Sequence, residues 1–399
     1  MIRLAGLIFL IFTPLCAAAP KALLFGKLWD GTGKVTNNAI VVVDGGRVTQ
    51  VSTSKSGIPR NAEWFDLRRY SALPGLIDAH THITYYWEPK LGKNPRRAEI
   101  HPLARVHLAQ ENARLTLSTG VTTIRDLNAY ADSDIAVRDL IDKGFFPGPR
   151  IFTAGQGLVA KIPAEMAAQV KQRIKAGHPW VKIFASRGGF DDTSTEQTVP
   201  FEAMQAAIIA AHEVGHKVAI HSYGPSGVRD AARAGADSIE HGIGIEDDTL
   251  RLMANRKIYW VPTIDHNRYY MDARHEFGFT DEAMASLRRY VEQNLETARR
   301  AVKAGVKLVM GSDAVFTMFG QNTRELEWFV KAGLTPEQAL HTATTNAAAM
   351  LGLPGELGRI APGAFADIIA VEGEPWNDIR AVTERVRWVM KGGEFVHRP

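Results

Sequence analysis

A pair of histidines separated by one residue has the spacing of metal ligands on a β-strand. His80 and His82 end the segment Leu-Pro-Gly-Leu-Ile-Asp-Ala-His-Thr-His, whose apolar residues predict a buried strand. Because side chains alternate across a strand, a spacing of two places both imidazoles on one face. Imidazole nitrogens are common ligands of Zn²⁺. The pair therefore predicts one side of a metal site, although such a short spacing also arises by chance.

Further polar residues end apolar runs in the same way. They are Lys182 in Trp-Val-Lys-Ile-Phe, His221 in Val-Ala-Ile-His, His241 in Ser-Ile-Glu-His and Asp313 in Leu-Val-Met-Gly-Ser-Asp. Taken singly, each residue is as compatible with an ordinary strand-end side chain as with a ligand. Their agreement with the histidine pair predicts a shared site at the ends of several strands.

The elements that must position these residues alternate in the central part of the chain. Residues 71–352 contain apolar runs interleaved with amphipathic stretches, which predicts eight βα units around a parallel sheet. The predicted strands end near His82, Asp126, Ala154, Phe184, His221, His241, Pro262 and Asp313. Barrel enzymes of this kind carry their active sites at the C-terminal ends of the strands.

The two flanking segments have a different pattern. Residues 20–70 and 353–399 alternate short β-rich runs with turns, which predicts hairpins that join in a small β-sandwich. The predicted fold class is therefore α/β, a (β/α)8 TIM barrel with a small β-sandwich domain formed from the N- and C-terminal segments.

Composition narrows the class of function. The 399 residues are 45% hydrophobic and 23% charged with a net charge of +4, as in a globular protein with a sizeable core. Basic residues are scattered among nearly as many acidic ones, so no basic stripe predicts nucleic-acid binding. We expect a small-molecule substrate. The sequence leaves the oligomeric state open, a homo-oligomer included.

Residues 1–19 have the pattern of a secretory signal. Arg3 precedes an apolar run from Leu4 to Leu15, and small residues follow up to Ala19. We expect cleavage near Ala18 or Ala19, a periplasmic or secreted mature protein, and no stable membrane anchor. A retained anchor is the alternative, whereas bulky Leu15 disfavours lipidation at Cys16. Since Cys16 is the only cysteine, metal ligands in the mature chain must be His, carboxylate or modified Lys.

Four segments carry a specific family resemblance. They are Leu-Pro-Gly-Leu-Ile-Asp-Ala-His-Thr-His, Ala-Gly-Ala-Asp-Ser-Ile-Glu-His-Gly, Gly-Ser-Asp and Thr-Pro-Glu-Gln-Ala-Leu-His-Thr-Ala-Thr-Thr-Asn. With them the chain resembles the amidohydrolase superfamily, in particular its imidazolonepropionase-related, Xaa-Pro dipeptidase-like metal-dependent hydrolases. The resemblance runs from about residue 22 to the end.

The resemblance implies a complete ligand set for two divalent ions, with zinc as the expected metal. It assigns His80 and His82 to the first strand, a carboxylated Lys182 to the fourth, His221 and His241 to the fifth and sixth, and Asp313 to the eighth. An unmodified ammonium with a pKa near ~10.4 would be repelled by two cations, whereas a CO2-derived carbamate on Lys182 could bridge them. If Lys182 is an ordinary charged lysine, a mononuclear site is the better interpretation.

The implied reaction is attack by a metal-bound hydroxide on an amide C–N bond, with Asp313 and Lys182 as catalytic residues. Asp313 is expected to accept the water proton and pass it to the leaving nitrogen. The expected substrate is an Xaa-Pro-like dipeptide or an N-acyl amino acid. An esterase, lactonase or phosphotriesterase on the same site is the alternative, and a non-catalytic barrel binding protein is disfavoured because no ligand is missing.

Aromatic residues follow the predicted strands and are candidates for substrate contacts. Tyr85 and Tyr86 follow the first strand, and Tyr223 matches a family position that contacts the substrate carboxylate. Arg268 or Arg187 is expected to add a cation. The Arg187-Gly188-Gly189 segment departs from the small uncharged residue expected before the glycines, which puts the family substrate in doubt.

A competing motif is His212-Glu213-Val214-Gly215-His216, which fits the HExxH pattern of zinc peptidases. That pattern requires both histidines on one helical face. Gly215 stands where the helix should end, and Val218 to Ile220 already have strand character. We therefore predict a structural role for this pair.

Overall fold

The structure is a computed structural model that describes residues 19–87 and 100–399. Except for Ala19, the predicted signal segment lies outside these ranges. In the part of the chain that is described, no helix is both long enough and apolar enough to span a bilayer.

One mixed sheet joins the two ends of the described chain. Its strands are β1 (Lys21–Trp29), β2 (Val35–Asp44), β3 (Arg47–Ser52), β4 (Glu63–Pro74), β13 (Ile368–Val371), β14 (Val386–Lys391) and β15 (Glu394–His397). They lie in the order β15-β14-β13-β4-β1-β2-β3, so β4 is flanked by an N-terminal and a C-terminal strand. An apolar cluster that includes Leu23, Val41 and Ile368 packs on this sheet. The two flanking segments therefore contribute strands to one sheet.

Strands and helices alternate through the central part of the chain. Its strands are β5 (Leu76–Thr81), β6 (Val121–Asp126), β7 (Arg150–Thr153), β8 (Trp180–Phe184), β9 (Lys217–His221), β10 (Ser238–Glu240), β11 (Tyr259–Val261) and β12 (Lys307–Leu308). Its helices are α1 (Pro102–Ser118), α2 (Ser133–Asp142), α3 (Pro163–Lys175), α4 (Phe201–His212), α5 (Pro225–Ala234), α6 (Asp247–Arg256), α7 (Ile264–Asp272), α8 (Arg274–Phe277), α9 (Asp281–Lys303), α10 (Glu325–Lys331), α11 (Pro336–Thr342) and α12 (Thr345–Leu351), and α13 (Arg380–Glu384) precedes β14. This alternation establishes the α/β class.

These strands form two parallel sheets, β5-β6-β7 and β8-β9-β10-β11-β12. Single bridges link them: Leu158, beyond β7, bridges Ile183 in β8, and Thr81 in β5 bridges Ala314, beyond β12. The first seven strands end at the predicted residue or one residue before it. The last strand ends at Leu308, five residues before Asp313, because the segment that follows runs as extended chain beside β5 without forming a regular ladder.

Helix α11 begins with a capping box. Thr335 caps α11 through a hydrogen bond from Gln338 N, and the Gln338 side chain accepts the Thr335 N–H. This reciprocal pair satisfies two of the N–H groups that a helix start leaves unpaired. At the other end of α11, Ile77 N donates to Ala343 O and connects this helix to the strand that leads to His80.

Candidate metal centre

The ends of five parallel strands bring the six predicted ligand residues together. They are His80 and His82 at the end of β5, Lys182 in β8, His221 at the end of β9, His241 just after β10 and Asp313 beyond β12. All six are at most 7% exposed and all line one cavity. Side chains of this chemistry, gathered away from water, are suited to holding metal ions.

Asp313 lies at the centre of this group. Its Oδ1 is 2.9 Å from His82 Nε2 and 3.5 Å from His80 Nε2, and its Oδ2 is 3.9 Å from His241 Nδ1. His80, His82 and Asp313 each offer a ligand atom within 4.8 Å of the others. Burial opposes ionisation, but the adjoining imidazoles, foremost His266, hold the pKa of the Asp313 carboxyl well below its usual range. An ionised carboxylate beside two imidazoles is a suitable ligand set for a divalent cation.

Lys182 extends this set at the same ring nitrogen of His80 that faces Asp313. Its Nζ lies 3.4 Å from His80 Nε2, and the residue has no solvent exposure. Burial lowers the pKa of Lys182 to about 8, so its ammonium is easier to deprotonate than that of a surface lysine. In residues 19–87 and 100–399 no carboxylate is within ion-pairing distance of Nζ. A buried amine of this kind fits the predicted carbamate, which forms only on the neutral amine.

His221 shows an unsatisfied hydrogen-bonding capacity. It is 3% exposed, and neither ring nitrogen has a hydrogen-bond partner within the described part of the chain. Its ring contacts that of His241 at 4.6 Å and that of Tyr223 at 5.2 Å. Because an unpaired buried polar group costs roughly 1–3 kcal/mol, a bound ion would satisfy a group that the protein leaves unpaired. The site therefore fits a metal on the His221 side as well.

The backbone at the strand ends adopts an uncommon conformation. His241, Thr263 and Asp313 have φ values of 64°, 51° and 52°, in the left-handed region. His241 is fixed there by a 2.6 Å hydrogen bond between its Nδ1 and Thr263 Oγ1. Left-handed residues other than glycine are strained and concentrate at functional sites. Two of these three residues, His241 and Asp313, line the cavity.

A buried ionic network behind His80 was not predicted. His80 Nδ1 lies 2.9 Å from Glu240 Oε2, and Arg125 Nη2 donates to Glu240 Oε1 at 2.8 Å. Ser238 Oγ donates to the same oxygen at 2.6 Å, and Arg125 Nη1 donates to Ser238 Oγ at 2.8 Å. The network fixes the His80 ring so that Nε2 faces Asp313 and Lys182.

A second support holds the segment that carries Asp313. Asp78 Oδ1 accepts from Ser312 N at 2.9 Å, and its Oδ2 accepts from Ser312 Oγ at 2.5 Å and from Asn322 Nδ2 at 3.0 Å. Burial raises the pKa of Asp78 to about 6. Both supporting carboxylates lie in the segments that carry the family resemblance: Asp78 is two residues before His80, and Glu240 is one residue before His241. Acidic residues inside apolar strands were the sequence signal for them.

His266 is another residue that sequence reasoning missed. It lies in the first turn of α7, lines the cavity and places Nε2 3.3 Å from Asp313 Oδ2. Burial lowers the pKa of its imidazole. The sequence signal was a histidine four residues after Pro262, within the loop region expected to line the mouth. His266 therefore adds an imidazole to the side of Asp313 opposite His82.

The cavity above the ligands has a volume of about 350 Å³ and largely aromatic walls. Tyr85, Tyr86 and Tyr223, the candidates for substrate contacts, line it. Tyr85 stacks on His82 with ring centroids 4.8 Å apart, and Tyr223 is buried against His221. The cavity therefore favours a substrate with apolar or aromatic groups.

The two predicted cations lie elsewhere. Arg268 donates from Nε and Nη2 to the Asp265 carboxylate at 2.9 and 2.6 Å and is not among the residues that line the cavity. Arg187 is largely exposed, with Asp192 and Glu196 within 3.7 and 3.8 Å of its guanidinium. Neither arginine is among the residues that line the cavity.

The HExxH-like pair is separated as predicted. Helix α4 ends at His212, Gly215 has a φ of 75°, and His216 lies in the turn before β9. His212 Nε2 is 2.8 Å from Asp237 Oδ2, whereas His216 Nδ1 faces Val214 O. The two rings have different partners and share no site with the six ligand residues.

Comparisons with known proteins agree with this geometry. The chain is 27% identical over 430 residues to ochratoxinase from Aspergillus niger, covering 94% of this chain and 86% of that protein. It is 24% identical over 375 residues to imidazolonepropionase from Streptomyces coelicolor, covering 85% and 86%. A crystal structure of an Xaa-Pro dipeptidase with methionine bound in its active site superposes with a TM-score of 0.87 at 29% identity, covering 95% of this chain and all of that chain.

The family model for the amidohydrolase family matches residues 71–396, which include every ligand residue described above. The resemblance stated for the sequence motifs is thereby confirmed. The chain belongs to the amidohydrolase family and is a hydrolase that acts on carbon–nitrogen bonds.

Proposed function

We propose that this protein is an exported, binuclear metal-dependent amidohydrolase that cleaves the amide bond of an Xaa-Pro-like dipeptide or an N-acyl amino acid. The observation that carries the proposal is the convergence of six buried ligand residues on one aromatic-walled cavity. The solved Xaa-Pro dipeptidase and the Aspergillus niger ochratoxinase support an amide as the bond that is cleaved.

The ligand residues divide into two groups around Lys182. His80, His82 and Asp313 would hold one ion and His221 and His241 the other, with a carbamate on Lys182 shared by both. Zinc fits the nitrogen and oxygen donors. When bound, the metal pair would supply Lewis-acid activation of water and of the substrate carbonyl.

The chain's own residues would position the substrate and move the proton. The Asp313 carboxylate, which adjoins both groups of ligands, accepts the proton of the attacking water and returns it to the leaving nitrogen. His266 holds the Oδ2 side of that carboxylate. The rings of Tyr85 and Tyr223 exclude bulk water from the reacting groups and contact the apolar part of the substrate.

We also propose that the two parallel sheets close into one (β/α)8 barrel over residues 71–352. The bridges Leu158–Ile183 and Thr81–Ala314 support closure, since they connect the outer strands of the two sheets. Residues 20–70 and 353–399 are proposed as the small β-sandwich domain. Residues 1–19 are proposed as the export signal that directs the mature protein to the periplasm or the medium.

The experiment is metal analysis combined with substrate profiling of the purified mature protein. Two metal ions per chain and a mass increase on Lys182 equal to one CO2 are expected. A panel of dipeptides and N-acyl amino acids should yield free amino acids, and ester and lactone panels are assayed in parallel. Release of no amino acid from any amide, or turnover of esters alone, would contradict the proposed substrate class.

A further inference from the structure

One cation of the cavity wall is separate from the ligand residues. Arg105 on α1 lines the cavity, and apart from Lys182 it is the only Lys or Arg among the described lining residues. Its Cζ lies 4.8 Å from the centroid of the Tyr130 ring, and its Nε donates to Ile100 O at 3.2 Å. These contacts orient the guanidinium, and no described carboxylate forms an ion pair with it.

A row of stacked rings connects Arg105 to the ligand residues. His82 stacks on Tyr85 at 4.8 Å with an interplanar angle of 24°, and Tyr85 stacks on Tyr130 at 5.7 Å and 15°. Arg105 packs on the Tyr130 ring at the other end of the row. Two tyrosine rings therefore separate the guanidinium from the imidazole. A group that reaches Arg105 is remote from a bond that reacts beside His82.

The charges of the cavity wall favour an anion at this end. Asp313 is the only carboxylate among the described lining residues, and it belongs to the ligand cluster. A guanidinium binds a carboxylate through two parallel charge-assisted hydrogen bonds, which makes it selective for this group. An anionic group at the outer end of the row therefore meets an oriented cation and, among the described residues, no opposing carboxylate.

We propose that Arg105 is a specificity-determining residue that binds a carboxylate at the end of the substrate remote from the scissile amide. The inference rests on the proposed amide hydrolysis and narrows its substrate class. The substrate is an extended amide, with an apolar or aromatic body along Tyr85 and Tyr130 and a negative charge beyond it.

Matched substrate pairs test this assignment. Aromatic amides that carry a remote carboxylate on the acyl half or on the amine half are each compared with the neutral carboxamide of the same length. The wild-type protein should prefer the carboxylate in at least one pair by about tenfold in kcat/KM, which corresponds to about 1.4 kcal/mol. Arg105→Gln should abolish the preference, and Arg105→Lys should restore part of it.

Arg114→Gln is the matched control, because Arg114 is on the same helix but is paired with Glu111 and does not line the cavity. This variant should keep the wild-type preference. Pairs that the protein does not cleave are ranked by isothermal titration, so the subsite is tested even if the proposed hydrolysis fails. Equal affinity for both members of every pair, or a preference that survives in Arg105→Gln, would overturn the assignment.

Discussion

The Nδ1 atom of His80 lies 2.9 Å from Glu240 Oε2, and both side chains are almost completely excluded from solvent. A carboxylate that accepts from one ring nitrogen leaves the other nitrogen with its lone pair directed at the metal site. Arg125 neutralises this carboxylate from behind at 2.8 Å. One side of the candidate metal site is therefore held by Glu240 and Arg125, neither of which lines the cavity.

Glu240→Gln should weaken metal binding about 10–100-fold, because the amide no longer holds the Nδ1–H of His80 as a charged acceptor does. Titration of the metal-free protein with Zn²⁺ measures the effect, and circular dichroism verifies the fold. Ser238→Ala serves as the control, since it removes a hydrogen bond to Oε1 and leaves the Oε2 contact with His80 intact. Equal metal affinity in Glu240→Gln and Ser238→Ala would show that the contact does not support the ligand.

Removing His221 should abolish binding of one of the two proposed ions and leave the other in place. His221→Ala is expected to retain about one metal ion per chain where the wild type retains two, because the ligands around Asp313 stay in place. His216→Ala should bind as much metal as the wild type, since His216 lies in a turn away from the cavity. Elemental analysis after dialysis measures the number of metal ions per chain in each protein. Unchanged stoichiometry in His221→Ala would contradict the binuclear proposal.

Gly188 permits a close approach that a larger residue would block. A Cβ at this position would lie 2.4 Å from the Tyr223 ring, and the φ of 108° strains any other residue. Gly188→Ala should lower the free energy of unfolding by about 1–3 kcal/mol and raise KM, because Tyr223 must move. Gly45→Ala, at φ 56° with no atom within 4 Å, carries backbone strain without the clash. Chemical denaturation and steady-state kinetics are measured for Gly188→Ala and Gly45→Ala. An identical KM in the two variants would argue that the contact between residue 188 and the Tyr223 ring does not affect substrate binding.

Glu325 should make stability depend on pH. Burial raises the pKa of its carboxyl to about 8, even though Ile264 N and Asp265 N donate to it. The folded state therefore keeps a proton that the unfolded chain releases above its ordinary pKa of about 4.3, so the free energy of unfolding falls as the pH rises from about 4.3 to about 8.

Glu325→Gln does not titrate, and its free energy of unfolding should lack this contribution. The stability of the wild type relative to the variant is expected to decrease steadily between pH 5 and pH 8. Urea denaturation of both proteins at several pH values gives this difference. A difference that stays constant, or increases with pH, would contradict the raised pKa.

The convergence of the six candidate ligand residues could be predicted because each lies at or near the end of an apolar run that can be recognised without knowledge of the fold. Whether a strand carboxylate such as Glu240 faces a ligand depends on the register of neighbouring strands, which pairs Glu240 with His221 and Val261. That register is set by tertiary packing. The network behind His80 could therefore not be predicted from the local sequence pattern.

The arginines differ from one another in this respect. Arg268 lies in the helix that follows the seventh strand, but Asp265 stands three residues earlier on the same helix and pairs with it. That spacing was visible in the sequence and argued against a free cation. Arg105 lies on a helix instead of a strand-end loop, and only the packing of α1 beside Tyr130 brings it to the cavity.

Strand β4 has a consequence for how the protein is made. It is sandwiched between β1 and β13, with Pro74 opposite Ile368 and Ser71 opposite Val371. A ribosome must therefore synthesise the chain past Val371 before this sheet can be completed, and contacts of such long sequence separation form slowly. Strand β4 therefore lacks one of its two neighbours until nearly the whole chain has left the ribosome.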